Sequence, residues 1–208
     1  QTKFDNQIKK SNKISTTYLF KIYPTKYQRD KILSWLNDTL SVYNCCVKIN
    51  NADPYYFNKG YMFAKTEVFE FLNKKFVCPY DSRTDAVKKF CDNLKSCKTN
   101  LGNNNIKKFN IKEVMEQNWK NIFIPKTAIT NTSIYPSHLG KMKGLKEFFK
   151  NRNIEQEFIC DSYIRYDRLR DEFYLMVPYY KNKKNISDRQ NCVALDPGES
   201  VAFSYYSE

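Results

Sequence analysis

The stretch TTYLFKIYPTKYQRDKILSWLNDTLSVYNCCVKIN, residues 16–50, changes its period at a single proline. Thr16 to Tyr23 is β-branched and aromatic, the composition of a strand, and Pro24, which has no N–H for a ladder, stops it. Beyond Thr25 the apolar residues Ile32, Leu33, Leu36, Leu40, Tyr43 and Val47 recur at spacings of three and four. That is the stripe of a long amphipathic helix, with Thr25 as its N-cap. This strand and helix open a chain that reads as α+β.

Outward from this stretch, Asn50 to Pro54 (NNADP) breaks the helix, and aromatic-rich helical material follows to about Phe76. After Cys78-Pro79-Tyr80, Ser82 with Asp85 three residues on reads as a capping box, and Ala86, Val87, Phe90, Leu94 and Cys97 line one helix face. Gly102-Asn103-Asn104-Asn105 is a turn. Residues 121–129, 133–135, 157–166 and 172–180 read as strands, the last two as a hairpin, with a short helix at Leu145–Lys150. Lys181 to Gln190 is a charged linker, and two further strands follow, 192–195 and 201–206. One strand, a helical block and then several strands together describe a β-domain carrying a helical insertion.

Composition limits the function. With 41% hydrophobic and 16% aromatic residues, 208 residues can bury a core, which excludes a wholly disordered chain. Lys and Arg number 35 against 22 Asp and Glu, a net charge of +13 and a sequence pI of about 9.3. Such a footprint fits a polyanion, most commonly nucleic acid; the plain alternative is a basic protein without such a partner. No apolar run of about 18 residues exists, so no membrane span is expected. No apolar signal region is present in the first thirty residues either, so secretion is not expected. The seven cysteines contain no C-x-x-C pair and predict reduced thiols in a cytosolic or nuclear protein. The single histidine, His138, argues against histidine-based acid–base or metal chemistry. Residues 1–13 read as a loose basic arm, in which Lys9, Lys10 and Lys13 are either a nuclear-import signal or a solvated tail. The chain opens on Gln1 and closes on Glu208 just after a strand, which reads as part of a longer protein.

The sharpest chemical signal is Val193-Ala194-Leu195-Asp196-Pro197-Gly198. A strand ending in Asp and turning through Gly holds one carboxylate at the lip of a sheet, where it can bind a hard divalent cation such as Mg²⁺. Two-metal phosphodiester chemistry needs further carboxylates, and Asp-Pro-Gly is also an ordinary tight turn. Glu199 shows no metal-ligand spacing. Tyr55, Tyr56, Phe57, Lys59, Tyr61, Phe63 and Lys65 interleave aromatic and basic groups, either to stack on bases or to pack a helix on a core. Lys141, Lys143 and Lys146 flank Gly140 and Gly144 at a turn that can meet phosphates. Lys181, Lys183 and Lys184 fall in the linker.

With these residues in order, the chain resembles the amino-terminal part of the TnpB nucleases and their Fanzor relatives. VALDPGESVAFSYYS is similar to the first RuvC motif of that family, and its A-L-D-P-G and Y-Y-S form is nearer to Fanzor than to typical bacterial TnpB. KIYPTKYQRDKILSWLNDTLSVYN resembles the family's opening strand, Pro-Thr-x-x-Gln helix start and Tyr-Asn helix; HLGKMKG and DEFYLMVPY resemble two later strands. The resemblance implies an RNA-guided DNA endonuclease. Its wedge-type β-barrel (residues 14–24 and 119–182) carries an inserted helical recognition domain (25–118). A linker (183–191) and the first strands of an RNase H-like RuvC domain (192–208) follow. It implies Asp196 as catalytic residue and Mg²⁺ ligand, and guide RNA and target DNA as partners. Nucleic-acid contacts are expected at Lys21, Lys26, Arg29, Tyr43, Asn44, Lys141, Lys143, Lys181, Lys183 and Lys184. The remaining catalytic Glu and Asp, and a Cys cluster for Zn²⁺, belong to segments that would complete the RuvC domain. Nuclear placement is implied for a Fanzor and cytoplasmic placement for a bacterial TnpB. A nuclease-inactive, RNA-guided DNA-binding protein of the same fold is the alternative. An actin-like kinase, whose fold also opens on a strand and a D-x-G turn, is disfavoured by the +13 charge and the helical block.

Overall fold

Pro24 and Thr25 act locally as the sequence predicts. The computed structural model of the chain describes residues 13–72, 75–152, 159–182, 193–196 and 204–207. Strand β1 (Lys13–Ile22) ends before Pro24, and helix α1 runs over Lys26–Ala52. Thr25 Oγ1 accepts the Gln28 N–H at 3.3 Å, and Gln28 Oε1 accepts the Thr25 N–H at 2.9 Å, a reciprocal capping box. Helices α2 (Tyr61–Leu72) and α3 (Tyr80–Gly102) follow.

The predicted start of α3 needs correction. The helix begins behind Pro79 rather than Ser82, because proline sets the backbone entering the first turn. Ser82 is buried inside that turn, and its hydroxyl donates to the Phe123 carbonyl at 2.8 Å instead of capping. Helix α4 (Leu145–Asn151) starts after Gly144, whose φ of 82° is left-handed and where a Cβ would come within 3.2 Å of the Phe20 ring.

Strands β2 (Asn121–Ile124), β3 (Ser162–Asp167) and β4 (Glu172–Asn182) join β1 in a four-stranded sheet of order β1-β4-β3-β2. Asn121 pairs with Arg165 and Ile124 with Ser162; Tyr163 pairs with Met176 and Asp167 with Glu172, both pairs antiparallel. Tyr18 stacks on Tyr179 while Lys21 reaches Glu172, so β1 runs opposite to β4. β2 is shorter than predicted, because Pro125 closes it. Residues 133–135 do not form a strand: Ser133 and Ile134 make single bridges to Lys141 and Ile129, and a wide helical turn covers Tyr135–Leu139. Among the described residues the sheet is open, with β1 and β2 as its edges.

Two buried clusters fill this unit, Ser15–Tyr180, and α1 belongs to both. Ile32, Trp35 and Leu36 pack with sheet residues such as Ile22, Ile122, Ile164 and Leu175. Further along the same helix, Val42, Tyr43, Cys46 and Val47 pack with Ala64, Val68, Val87 and Phe90 of α2 and α3. The N-terminal half of α1 thus serves the sheet, and its C-terminal half the helices. Asp38, between the two halves, accepts the backbone N–H groups of Val77 and Cys78 at 2.7 and 3.0 Å.

A second unit contains β5 (Val193–Asp196) and β6 (Ser204–Ser207), paired antiparallel with Val193 opposite Ser207 and Asp196 opposite Ser204.

Candidate nucleic-acid interface

The start of α1 gathers basic groups from three places in the chain. Gln28, already part of the cap, uses its amide Nε2 to donate to the carbonyls of Leu139 and Lys141, both at 2.8 Å. Lys31 Nζ donates to the His138 carbonyl at 3.0 Å, and Tyr23 bridges Lys143. These contacts hold the segment 138–143 against the first turns of α1. Lys26, Lys141 and Lys143 are exposed there, beside the partial positive charge of a helix N-terminus. Tyr23 and Tyr27 are 55% and 65% exposed, with Lys21 5.7 Å from the Tyr23 ring and Lys31 5.0 Å from that of Tyr27. Exposed rings carrying cations suit stacking beside phosphate neutralisation.

The β3–β4 turn supplies opposing charge. Asp171 pairs with Arg29 at 2.5 Å and accepts the Tyr166 hydroxyl at 2.7 Å. Glu172 pairs with Lys21 and also accepts the Tyr174 hydroxyl. Lys21, Tyr23, Arg29, Arg170, Asp171 and Glu172 line a cleft of about 360 Å³. The Arg29 and Lys21 contacts hold both carboxyls below their ordinary pKa. Groups shifted down stabilise the fold above the ordinary carboxylate range, about pH 4, and lose that effect as pH falls through their folded values.

Both carboxylates therefore occupy Lys21 and Arg29, which an incoming phosphate would have to share. Asp171 has a φ of 54°, a conformation that Asn tolerates as well as Asp. The variant Asp171→Asn/Glu172→Gln should keep the turn and elute from a heparin column at higher salt than the unsubstituted protein. The unsubstituted protein should approach that behaviour as the pH is lowered below about 4. Equal elution of the two proteins at neutral pH would show that the carboxylates leave the basic face unaffected.

The other expected site residues lie elsewhere. Tyr43 is 4% exposed, packed against Phe90 and Trp119, and its hydroxyl accepts from Asn93 at 3.0 Å. Asn44 clamps Val114, donating to its carbonyl at 2.9 Å and accepting its N–H at 2.8 Å. Both therefore hold the helical core together. The periodicity that puts Tyr43 on the apolar stripe, seven residues after Leu36, describes its place better than the motif resemblance does. In the aromatic stretch, Phe57 is buried and Tyr56 donates to Glu67, while Tyr55 is 76% exposed. His138 packs edge-on against Trp35 and Tyr135.

Lys181 stands near the end of β4, whereas Lys183 and Lys184 lie outside the described residues, as do Glu199 and the turn after Asp196. Asp196 is the last paired residue of β5. Among the described residues no three His, Cys, Asp or Glu side chains gather as a metal site. Tyr23, Tyr27, Lys31 and Arg170 were not singled out as site residues from sequence. The i, i+4 pair Tyr27–Lys31 was the available signal for two of them.

No protein-family model matches the chain. The chain is similar to TnpB-like protein L79 of Acanthamoeba polyphaga mimivirus, at 23% identity over 231 aligned positions. The match takes in all of this chain but 43% of that protein, so the chain spans less than half of its relative's length. This is a distant relationship to a TnpB-like protein, and it runs the length of the chain.

Proposed function

We propose that the chain is the amino-terminal part of an RNA-guided DNA endonuclease of the TnpB/Fanzor type. The observation that carries the reading is the similarity to a TnpB-like protein along the whole chain. The basic, tyrosine-bearing face at the start of α1 supports it. In this reading the open sheet is the core of a wedge-type β-barrel, α1 to α3 are its recognition insertion, and β5 and β6 begin the RuvC domain. Lys26, Lys141 and Lys143 contact guide RNA or its heteroduplex through phosphates. Asp196 supplies one carboxylate for Mg²⁺, and segments beyond this chain supply the rest, with any Zn²⁺ site. Protein contacts then read backbone shape while base pairing reads sequence.

The test uses the full-length protein, the RNA that copurifies with it, and plasmids with or without a matching sequence. Mg²⁺-dependent cutting restricted to matched plasmids and dependent on the RNA is the expected result. RNA-dependent retention of matched plasmids without cutting would favour a guided binding protein instead. RNA binding should fall steeply with salt, each phosphate contact adding about −0.7 to −0.9 to the log–log slope. The triple variant Lys26→Ala/Lys141→Ala/Lys143→Ala should flatten that slope by about 2 to 3. A slope that the variant leaves unchanged would remove the α1 face from the interface.

A further inference from the structure

The far end of α1 carries a second feature that the basic face does not use. Asn50 lies 24 residues after Lys26, about 36 Å along the helix at ~1.5 Å per residue. It is 8% exposed, and its Oδ1 is buried without a hydrogen-bond donor. An amide acceptor left unmet at that depth is costly, and native structures keep few of them. Asn50 lines a cleft of about 260 Å³ whose walls include Leu94, Phe109 and Ile111. A neighbouring cleft of about 430 Å³ shares Leu94 and Lys98 with it and adds Phe57, Lys95 and Thr99. Lys98 is steadied by donating to Asn58 Oδ1 at 2.8 Å, a neutral partner that leaves its charge uncompensated. Among the described residues, no Asp or Glu lines either cleft.

Apolar walls, an unmet amide acceptor and two lysines without carboxylates describe one chemistry. A nucleotide offers N–H donors on its base edge, an apolar ring face and a phosphate. A carboxylate ligand would satisfy the lysines but repel the Asn50 oxygen, and an apolar ligand would leave both unmet. We infer that the paired clefts along α3, one beside the end of α1 and the other beside Phe57 and Asn58, bind a nucleotide. Asn50 Oδ1 accepts from the base edge, Leu94 and Phe109 flank the ring, and Lys95 and Lys98 hold the phosphate. This site lies at the opposite end of α1 from the basic face and does not depend on guided cleavage.

The nucleotide can be an unstacked unit of a single strand or a free mononucleotide, and one experiment separates them. The protein is irradiated with a fluorescein-labelled single-stranded oligonucleotide containing 4-thiothymidine, and the crosslinked peptides are mapped. In parallel, thermal unfolding is followed with AMP or UMP alone. Strand crosslinks within 91–99 and 109–111 that persist in excess AMP and UMP identify a strand. A thermal upshift with a mononucleotide, without such crosslinks, identifies the free nucleotide. In either case Lys98→Ala and Asn50→Leu should each weaken binding about tenfold. Asn50→Leu should not lower the unfolding temperature, since it removes an unpaired acceptor from a buried position. Crosslinks confined to other segments with no mononucleotide upshift would overturn the inference. So would an Asn50→Leu protein that unfolds earlier but binds as before, because Asn50 would then be structural.

Discussion

An Asp196→Ala variant of the full-length protein should lose Mg²⁺-dependent cleavage by at least about 10³-fold, some 4 kcal/mol of transition-state stabilisation, and still retain its RNA. The expectation belongs to the nuclease reading and rests on position. Asp196 closes the β5 ladder opposite Ser204, so strand pairing fixes its backbone at the end of β5. A carboxylate at such a point suits Mg²⁺, which binds through few carboxylates and fills its shell with phosphate and water oxygens. Two ions sharing ligands hold the attacking and leaving oxygens in line, so one missing carboxylate disorganises both. Asp196→Asn, of the same shape, should fail equally, because charge and not volume is what the cation needs. Cleavage at the original rate in either variant would refute the assignment. Loss of RNA binding along with cleavage would instead assign Asp196 to folding of the β5–β6 unit.

The second large effect is on stability. Trp35 is fully buried where α1 meets the sheet, with its ring edge-on to Tyr135 at 5.5 Å and to His138 at 5.9 Å. Trp35→Ala removes the largest side chain of that cluster and should cost about 3–5 kcal/mol. At ~2–4 °C per kcal/mol, this lowers the unfolding temperature by roughly 10 °C. The indole N–H has no hydrogen-bond partner, so Trp35→Phe should cost much less, about 1–2 kcal/mol, by keeping an aromatic ring and discarding a buried donor. Calorimetry of the two variants decides it. Equal losses would mean that the indole nitrogen is paired in solution, and a loss below about 1 kcal/mol for Ala would place Trp35 outside the core.

What the sequence disclosed was mainly local. Pro24, Thr25 and the stripe from Ile32 to Val47 act within a few residues of themselves, so the strand stop, the cap and α1 could be read directly. Ser82 was misread because a capping pattern describes what a hydroxyl can do nearby. The fold instead spends that hydroxyl on Phe123, 41 residues away. Residues 133–135 have strand composition, but the wide turn at Tyr135 leaves room only for isolated bridges. The candidate interface was half visible. Its lysines were named, whereas the grouping depends on Gln28 reaching Leu139, 111 residues on, and on two carboxylates from a distant hairpin. Tyr43 and Asn44 show the converse: a motif resemblance marks residues without telling whether they face solvent, a buried stripe or a neighbouring backbone.

The pairing of β1 with β4 bears on how the chain comes together during synthesis. Lys21 meets Glu172 across 151 positions, and Tyr18 meets Tyr179 across 161. β1 leaves the ribosome first and waits for its partner strand, exposing unpaired backbone and Leu19, 57% exposed even in the finished fold. The α1–α3 cluster needs only nearer contacts and can form in the interval. Once formed, it brings the ends of the intervening segment closer and shortens the effective loop that β1 and β4 must close. The helical block thus acts as an internal scaffold for late strand capture, and variants that loosen it, such as Phe90→Ala, should slow refolding of a sheet that they do not touch.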